Sequence, residues 1–219
     1  MKIWFDAHRW ATEFAIDNIQ DYVETMEVQF DTLRKLEKEK IPQNQPPGLS
    51  EEDYAEWQAE INFFEERYER DFPSKIRYSF LVLLYIVFET RLRAACDEIT
   101  RRGNLDLKEK ELKGSPIERA RIFLEKVAKV AVKDQVTWQS IVDFQKVRDC
   151  IVHLNGRVEN SRDKERIQNL CNKNLGLSID AGSLIVGHKY CSKTLETVRQ
   201  FFDRMFTEAG FGPSDLRVE

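Results

Sequence analysis

The sequence predicts an all-α fold, a helical bundle with one small β-hairpin before its C-terminal helix. Three observations predict it. Apolar residues recur at spacings of three to five, the period of helices that bury one face. Only nine glycines and six prolines occur in 219 residues. Helix-cap residues stand at the ends of the periodic segments. A chain of this length can bury a sizeable core, and its high charged fraction, 33%, suits long solvated faces.

The elements follow in order. Trp10, Phe14, Ile19, Val23, Met26, Phe30 and Leu33 mark one face of a long amphipathic helix from about Asp6 to Lys40. "IPQNQPPGLS" ends it, because prolines and a glycine cannot continue a helix. Ser50 then caps a second helix, with Glu51, Glu52 and Asp53 at its positive end. That helix runs to about Asp71, where Pro73 breaks or kinks it. A third, from about Ser74 to Arg102, carries the run "YSFLVLLYIVF" and is the centre of the core; "TRRG" closes it. After a polar loop, Ser115, Pro116 and Glu118 form a capping box that starts a helix to about Val132. A fifth helix spans about Thr137 to His153. A polar connection follows, then "LGLSIDAGSLIVG", two short strands around Ala181-Gly182-Ser183. A helix from Tyr190 to Ala209 closes the bundle, and 210–219 is a polar tail.

Several function classes drop out. The apolar run from Tyr78 to Phe88 is too short to span a bilayer. The start reaches Asp6, His8 and Arg9 too soon for a signal peptide, so a cytoplasmic protein without membrane contact is expected. Cys96, Cys150, Cys171 and Cys191 have neither C-x-x-C pairing nor histidines at zinc spacing. They read as small core hydrophobes, with no metal site and no cofactor expected. His8 and His188 read as surface residues. Charge is uneven: residues 1–73 carry 8 basic and 18 acidic side chains, 75–133 carry 14 and 8, and 134–219 carry 12 of each. The acidic N-terminal part can therefore lie against the basic middle. Uniformly basic, nonspecific nucleic-acid binding is excluded.

"VRDCIVHLNG", residues 147–156, carries the chemistry. On an ideal wheel Arg148 falls within the apolar sector of Ile141, Phe144, Val147, Ile151 and Val152. A guanidinium keeps its proton, so a buried one needs a carboxylate, a phosphate or several carbonyls. Arg148 is thus either a structural ion-pair partner or a group held ready for an anionic ligand. Asp149 and His153 stand four apart, where their side chains can meet, and a carboxylate fixes the tautomer of an imidazole. Arg148 and His153 lie about 140° apart on the helix, so one copy cannot aim both at one atom. Two copies across a two-fold axis can.

"RDCIVH" resembles the R-[N/D/H]-x-x-x-H signature of HEPN domains (higher eukaryotes and prokaryotes nucleotide-binding), and Asn155-Gly156 fit the same pattern. The likeness covers roughly 74–209, a HEPN-like helical domain, and leaves 1–73 as an acidic N-terminal helical elaboration. The resemblance implies a metal-independent endoribonuclease, of defence or toxin–antitoxin type. It implies a homodimer with facing motifs, an RNA substrate, and an antitoxin or effector protein as a further partner. His153 would be general acid/base, Arg148 would stabilise the charged transition state, and Asp149 would orient the pair. Glu89 is a supporting candidate; its other reading is an exposed residue paired with Arg93. Asn155 supports the site or merely ends the helix. Some HEPN domains are non-catalytic nucleotide-binding or protein-interaction modules, and an overall acidic chain with Asp149 in place of the commoner asparagine fits that alternative too.

Overall fold

Asp6 opens the first helix of the computed structural model, its carboxylate accepting from the backbone N–H groups of His8 and Arg9. The structure describes residues 3–41, 47–132, 135–214 and 217–218; residues 42–46 of the expected proline-rich break lie outside them. The helices are α1 (Ala7–Glu39), α2 (Glu51–Phe64), α3 (Phe72–Gly103), α4 (Pro116–Ile122), α5 (Gln135–Leu154), α6 (Lys164–Asn172) and α7 (His188–Glu208). The strands are β1 (Ile3–Trp4), β2 (Leu177–Asp180), β3 (Ser183–Val186) and β4 (Arg217–Val218). The chain is mostly helical, with the β2–β3 hairpin placed just before α7.

Pro73 does not break the chain's course. Residues 65–71 form a π-helical stretch that joins α2 to α3 without leaving helical backbone angles. The Phe72 N–H reaches back to the Arg67 carbonyl, and the wider turn absorbs the proline ring and its missing donor. The expected N-cap at Ser50 and the expected capping box at Ser115 both form. The helix after Ser115 ends earlier than its apolar pattern suggests: a π turn covers Phe123–Val127, and Lys129 enters the left-handed region at φ 58°. α6 stands where a polar connection was expected, burying Ile167 and Leu170.

α1 runs antiparallel along α3. Ion pairs mark the register from end to end: Asp6 with Arg102, Glu27 with Arg77, and Arg34 with Glu69 just before α3. Two of these join the acidic N-terminal part to the basic middle. α1 packs through Thr12, Ile16, Ile19 and Val23. Trp10 and Phe14, expected on that face, lie on the opposite side of the helix, exposed and stacked on each other at 5.2 Å.

The core is centred on α3, where Leu81, Leu84 and Phe88 are fully buried. Phe144 and Val147 of α5 and Phe202 and Phe206 of α7 close over them, each such side chain contributing about 1.5–3 kcal/mol by leaving water. Cys96, Cys150 and Cys191 are buried free thiols, and Cys171 is half-buried. Beyond α7, Phe211 joins the core under the Arg102 guanidinium, and β4 pairs with β1. No helix among the described residues is long and apolar enough to cross a membrane.

Candidate functional site

α5 presents the motif on its seam with α3. The Arg148 guanidinium lies over the Tyr85 ring, 4.5 Å from its centroid, a cation–π arrangement that holds the planar group flat. Its Nη1 donates to Asp149 Oδ1 at 2.8 Å, and its Nε is buried without a hydrogen-bond partner among the described residues. The carboxylate that meets Arg148 is thus its own chain neighbour, not an acid from another element. Arg148 keeps 23% of its side-chain surface open to solvent. It sits at the edge of the core rather than within it.

Tyr85 had no place in the sequence expectations. It is buried on α3, one turn before Glu89, and packs edge-on against Phe144. Burial raises the pKa of its hydroxyl, Glu89 adds to the rise, Arg148 opposes it and Asp149 adds again. Those charges place Tyr85, Glu89, Arg148 and Asp149 in one neighbourhood. Glu89 itself pairs with Arg93 one turn on, at 3.3 Å, though it is half-buried rather than exposed. The signal that could have found Tyr85 is its spacing: it stands one turn before the candidate acid, on the helix that must pack against the motif.

His153 is exposed in the last turn of α5. It makes no hydrogen bond or ion pair among the described residues, and the contact with Asp149 allowed by the i, i+4 spacing does not form, because Asp149 turns to Arg148. His153 stands five positions after Arg148, a rise of about 7.5 Å.

The exit from α5 is held tightly. Asn155 and Gly156 both take left-handed angles, φ 49° and 79°. The Gly156 N–H donates to the Cys150 carbonyl, and the Leu184 N–H donates to the Gly156 carbonyl at 2.8 Å, so β3 clamps the turn. Tyr78 of α3 donates its hydroxyl to the Leu184 carbonyl, and burial pushes its pKa up to about 12. A Cβ at position 156 would overlap that hydroxyl, so only glycine fits. Asn155 ends the helix and also accepts a hydrogen bond from Lys75 Nζ at 3.0 Å. Lys75 therefore brings a second cation to the His153 end of the motif, another residue the sequence reading missed.

The outward sides of α3 and α5 leave large apolar residues in solvent: Leu83 at 36%, Ile86 at 50% and Val152 at 45% exposed. A partly exposed planar guanidinium, a lysine ammonium and a histidine suit an anionic, phosphate-bearing ligand, while the neighbouring carboxylates oppose it. No family model, curated protein or solved structure matches this chain, so the functional reading stands on these residues.

Proposed function

We propose that the chain is a HEPN-type, metal-independent endoribonuclease that works as a homodimer, of the defence or toxin kind. The observation that carries the reading is Arg148, held flat on Tyr85 and partly open to solvent at the edge of the core, one and a half turns before the exposed His153. The bundle, the motif at the end of a late helix, the hairpin and the closing helix agree with the resemblance in residues 74–209. The acidic segment 1–73 elaborates that bundle.

In this reading the RNA 2′-hydroxyl attacks the adjacent phosphorus and the bond to the 5′-oxygen breaks. The products are a 2′,3′-cyclic phosphate and a 5′-hydroxyl end. His153 acts first as general base and then as general acid: it accepts the 2′-hydroxyl proton and returns it to the leaving 5′-oxygen. Arg148 clamps phosphate oxygens as negative charge builds. Asp149 orients the guanidinium, and Lys75 and Asn155 line the approach. The exposed Leu83, Ile86 and Val152 provide the apolar surface that a two-fold partner would cover. A second reading, a non-catalytic HEPN-type module that binds a nucleotide or a protein such as an antitoxin, is favoured by one specific contact: Asp149 occupies the guanidinium that a phosphate needs.

The test is wild type and His153→Ala, each incubated with a mixed RNA pool in EDTA, with product ends read and both proteins sized. Cleavage by wild type alone, leaving cyclic-phosphate ends, is the expected result. Equal cleavage by both proteins removes His153 from the mechanism. A stable dimer that leaves the RNA intact transfers support to the binding module.

A further inference from the structure

Between α1 and α7 a cleft of about 520 Å³ opens to solvent, and none of the motif residues lines it. Its volume falls within the roughly 300–1,000 Å³ of small-molecule sites. The floor is apolar: Phe80 of α3, fully buried, flanked by Val23 of α1 and Leu195 of α7. The walls are not. Glu24 lines one side and Glu196 the other.

The two arginines near the cleft are already engaged. Arg199 at one end pairs with Asp17 at 2.6 Å and donates to Gln20 Oε1. Arg77 at the other end pairs with Glu27 at 2.8 Å and donates to the Val186 carbonyl. Glu24 and Glu196 each accept a hydrogen bond from a glutamine one turn away, Gln20 and Gln200, at 2.7 Å. Two solvent-exposed carboxylates thus line a common space from opposite walls, above an apolar floor, without an ion-pair partner among the described residues.

We propose that this cleft binds a short aliphatic polyamine. Each ammonium carries three donors and no acceptor, which suits carboxylates on both walls. The methylene links between ammonium groups suit Val23, Phe80 and Leu195. The stretch of α1 from Gln20 to Glu27 spans about 10 Å, enough for a chain with two or three amines. Ion pairs at both ends of the cleft favour such a bounded molecule over a long basic peptide passing through. The proposal is independent of the ribonuclease reading.

The experiment is isothermal titration with spermidine at about 150 mM salt, where the screening length is about 8 Å and diffuse attraction to an acidic surface is weak. Wild type should show one saturable site. The double variant Glu24→Gln/Glu196→Gln should bind at least about tenfold more weakly, since it loses two charge-assisted hydrogen-bond acceptors. Glu51→Gln/Glu52→Gln, which removes two exposed acids of α2 outside the cleft, should bind as wild type does. Absence of saturable binding to wild type overturns the proposal. So does equal affinity in the cleft double variant, or saturable heat from magnesium chloride over the same concentrations.

Discussion

Arg148 has two claims on its guanidinium. In this chain Asp149 meets one edge of it at 2.8 Å, where a phosphate oxygen would otherwise bind. A carboxylate there holds the guanidinium in place and also repels an incoming anion. Removing its charge and keeping its shape separates the two effects. Asp149→Asn should bind short RNA several-fold more tightly than wild type, because the local like charge is gone while Tyr85 still holds the guanidinium flat. Fluorescence anisotropy with a labelled oligonucleotide measures this; weaker binding would mean that the orienting role of Asp149 outweighs its repulsion. Gly156 gives a second residue-level expectation. Its left-handed angle and the Tyr78 hydroxyl beside it leave no room for a methyl group. Gly156→Ala should destabilise the fold by at least about 2 kcal/mol in urea unfolding, with β3 losing its clamp on the end of α5. An unfolding midpoint equal to wild type would show that the turn relaxes freely.

At the level of elements, α1 and α3 are joined most firmly at the Asp6–Arg102 end. Glu98 is buried there among Arg101, Arg102 and His8. Hydrogen bonding from Arg101 leads the causes that hold its carboxyl at about 2, with Arg102 helping against the opposing effect of burial. Burial alone would raise Asp6, but Arg102 and the backbone N–H groups of Arg9 and His8 outweigh it and keep its pKa below the usual value. Both folded-state values lie below the unfolded ones, so the unfolded chain binds more protons. The stability these groups contribute is present above the unfolded carboxylate range and is lost as pH falls toward about 2. Thermal unfolding followed from pH 5 to 2.5 should show this decline, and Glu98→Gln should flatten it. An unchanged slope in the variant would mean that other carboxylates set the acid limit.

The elements also differ in how far they could be read from sequence. Ser50 as a cap, the Ser115 box and the hairpin turn at Ala181-Gly182 were legible because each depends on a few adjacent residues. The Pro73 junction was not: a π turn keeps the chain helical where the local rule expects a break. α6 was passed over because nine residues with three apolar positions give too short a period to separate from a loop. Trp10 and Phe14 were misplaced because apolarity told of a face, while packing against α3 chose the opposite one. At the site, Arg148, Asp149 and His153 were visible as a spaced motif. Tyr85 and Lys75 reach it through the folding of α3, which no local pattern encodes.

At the scale of the whole molecule, the arrangement of Arg148 and His153 separates a site built within one chain from one built across two. They are about 7.5 Å apart along α5 and turned about 140° from each other. One copy therefore presents them in different directions, whereas a two-fold partner that covers Ile86 and Val152 would bring one copy's arginine toward the other's histidine. Complementation reads this difference directly. Arg148→Ala and His153→Ala should each be inactive on RNA in EDTA. Mixed, unfolded and refolded together at equal concentration, half of the dimers are heterodimers carrying one intact Arg148 and one intact His153 on different chains. If the two act across the axis, the mixture should recover up to about a quarter of wild-type activity, one working pair in half of the dimers. Sizing the refolded mixture beforehand confirms that dimers form, and a different affinity tag on each variant isolates the heterodimers. Dimers that form and stay inactive would mean that both groups must come from the same chain, and the two-fold mechanism would fall even if the wild type cleaves RNA.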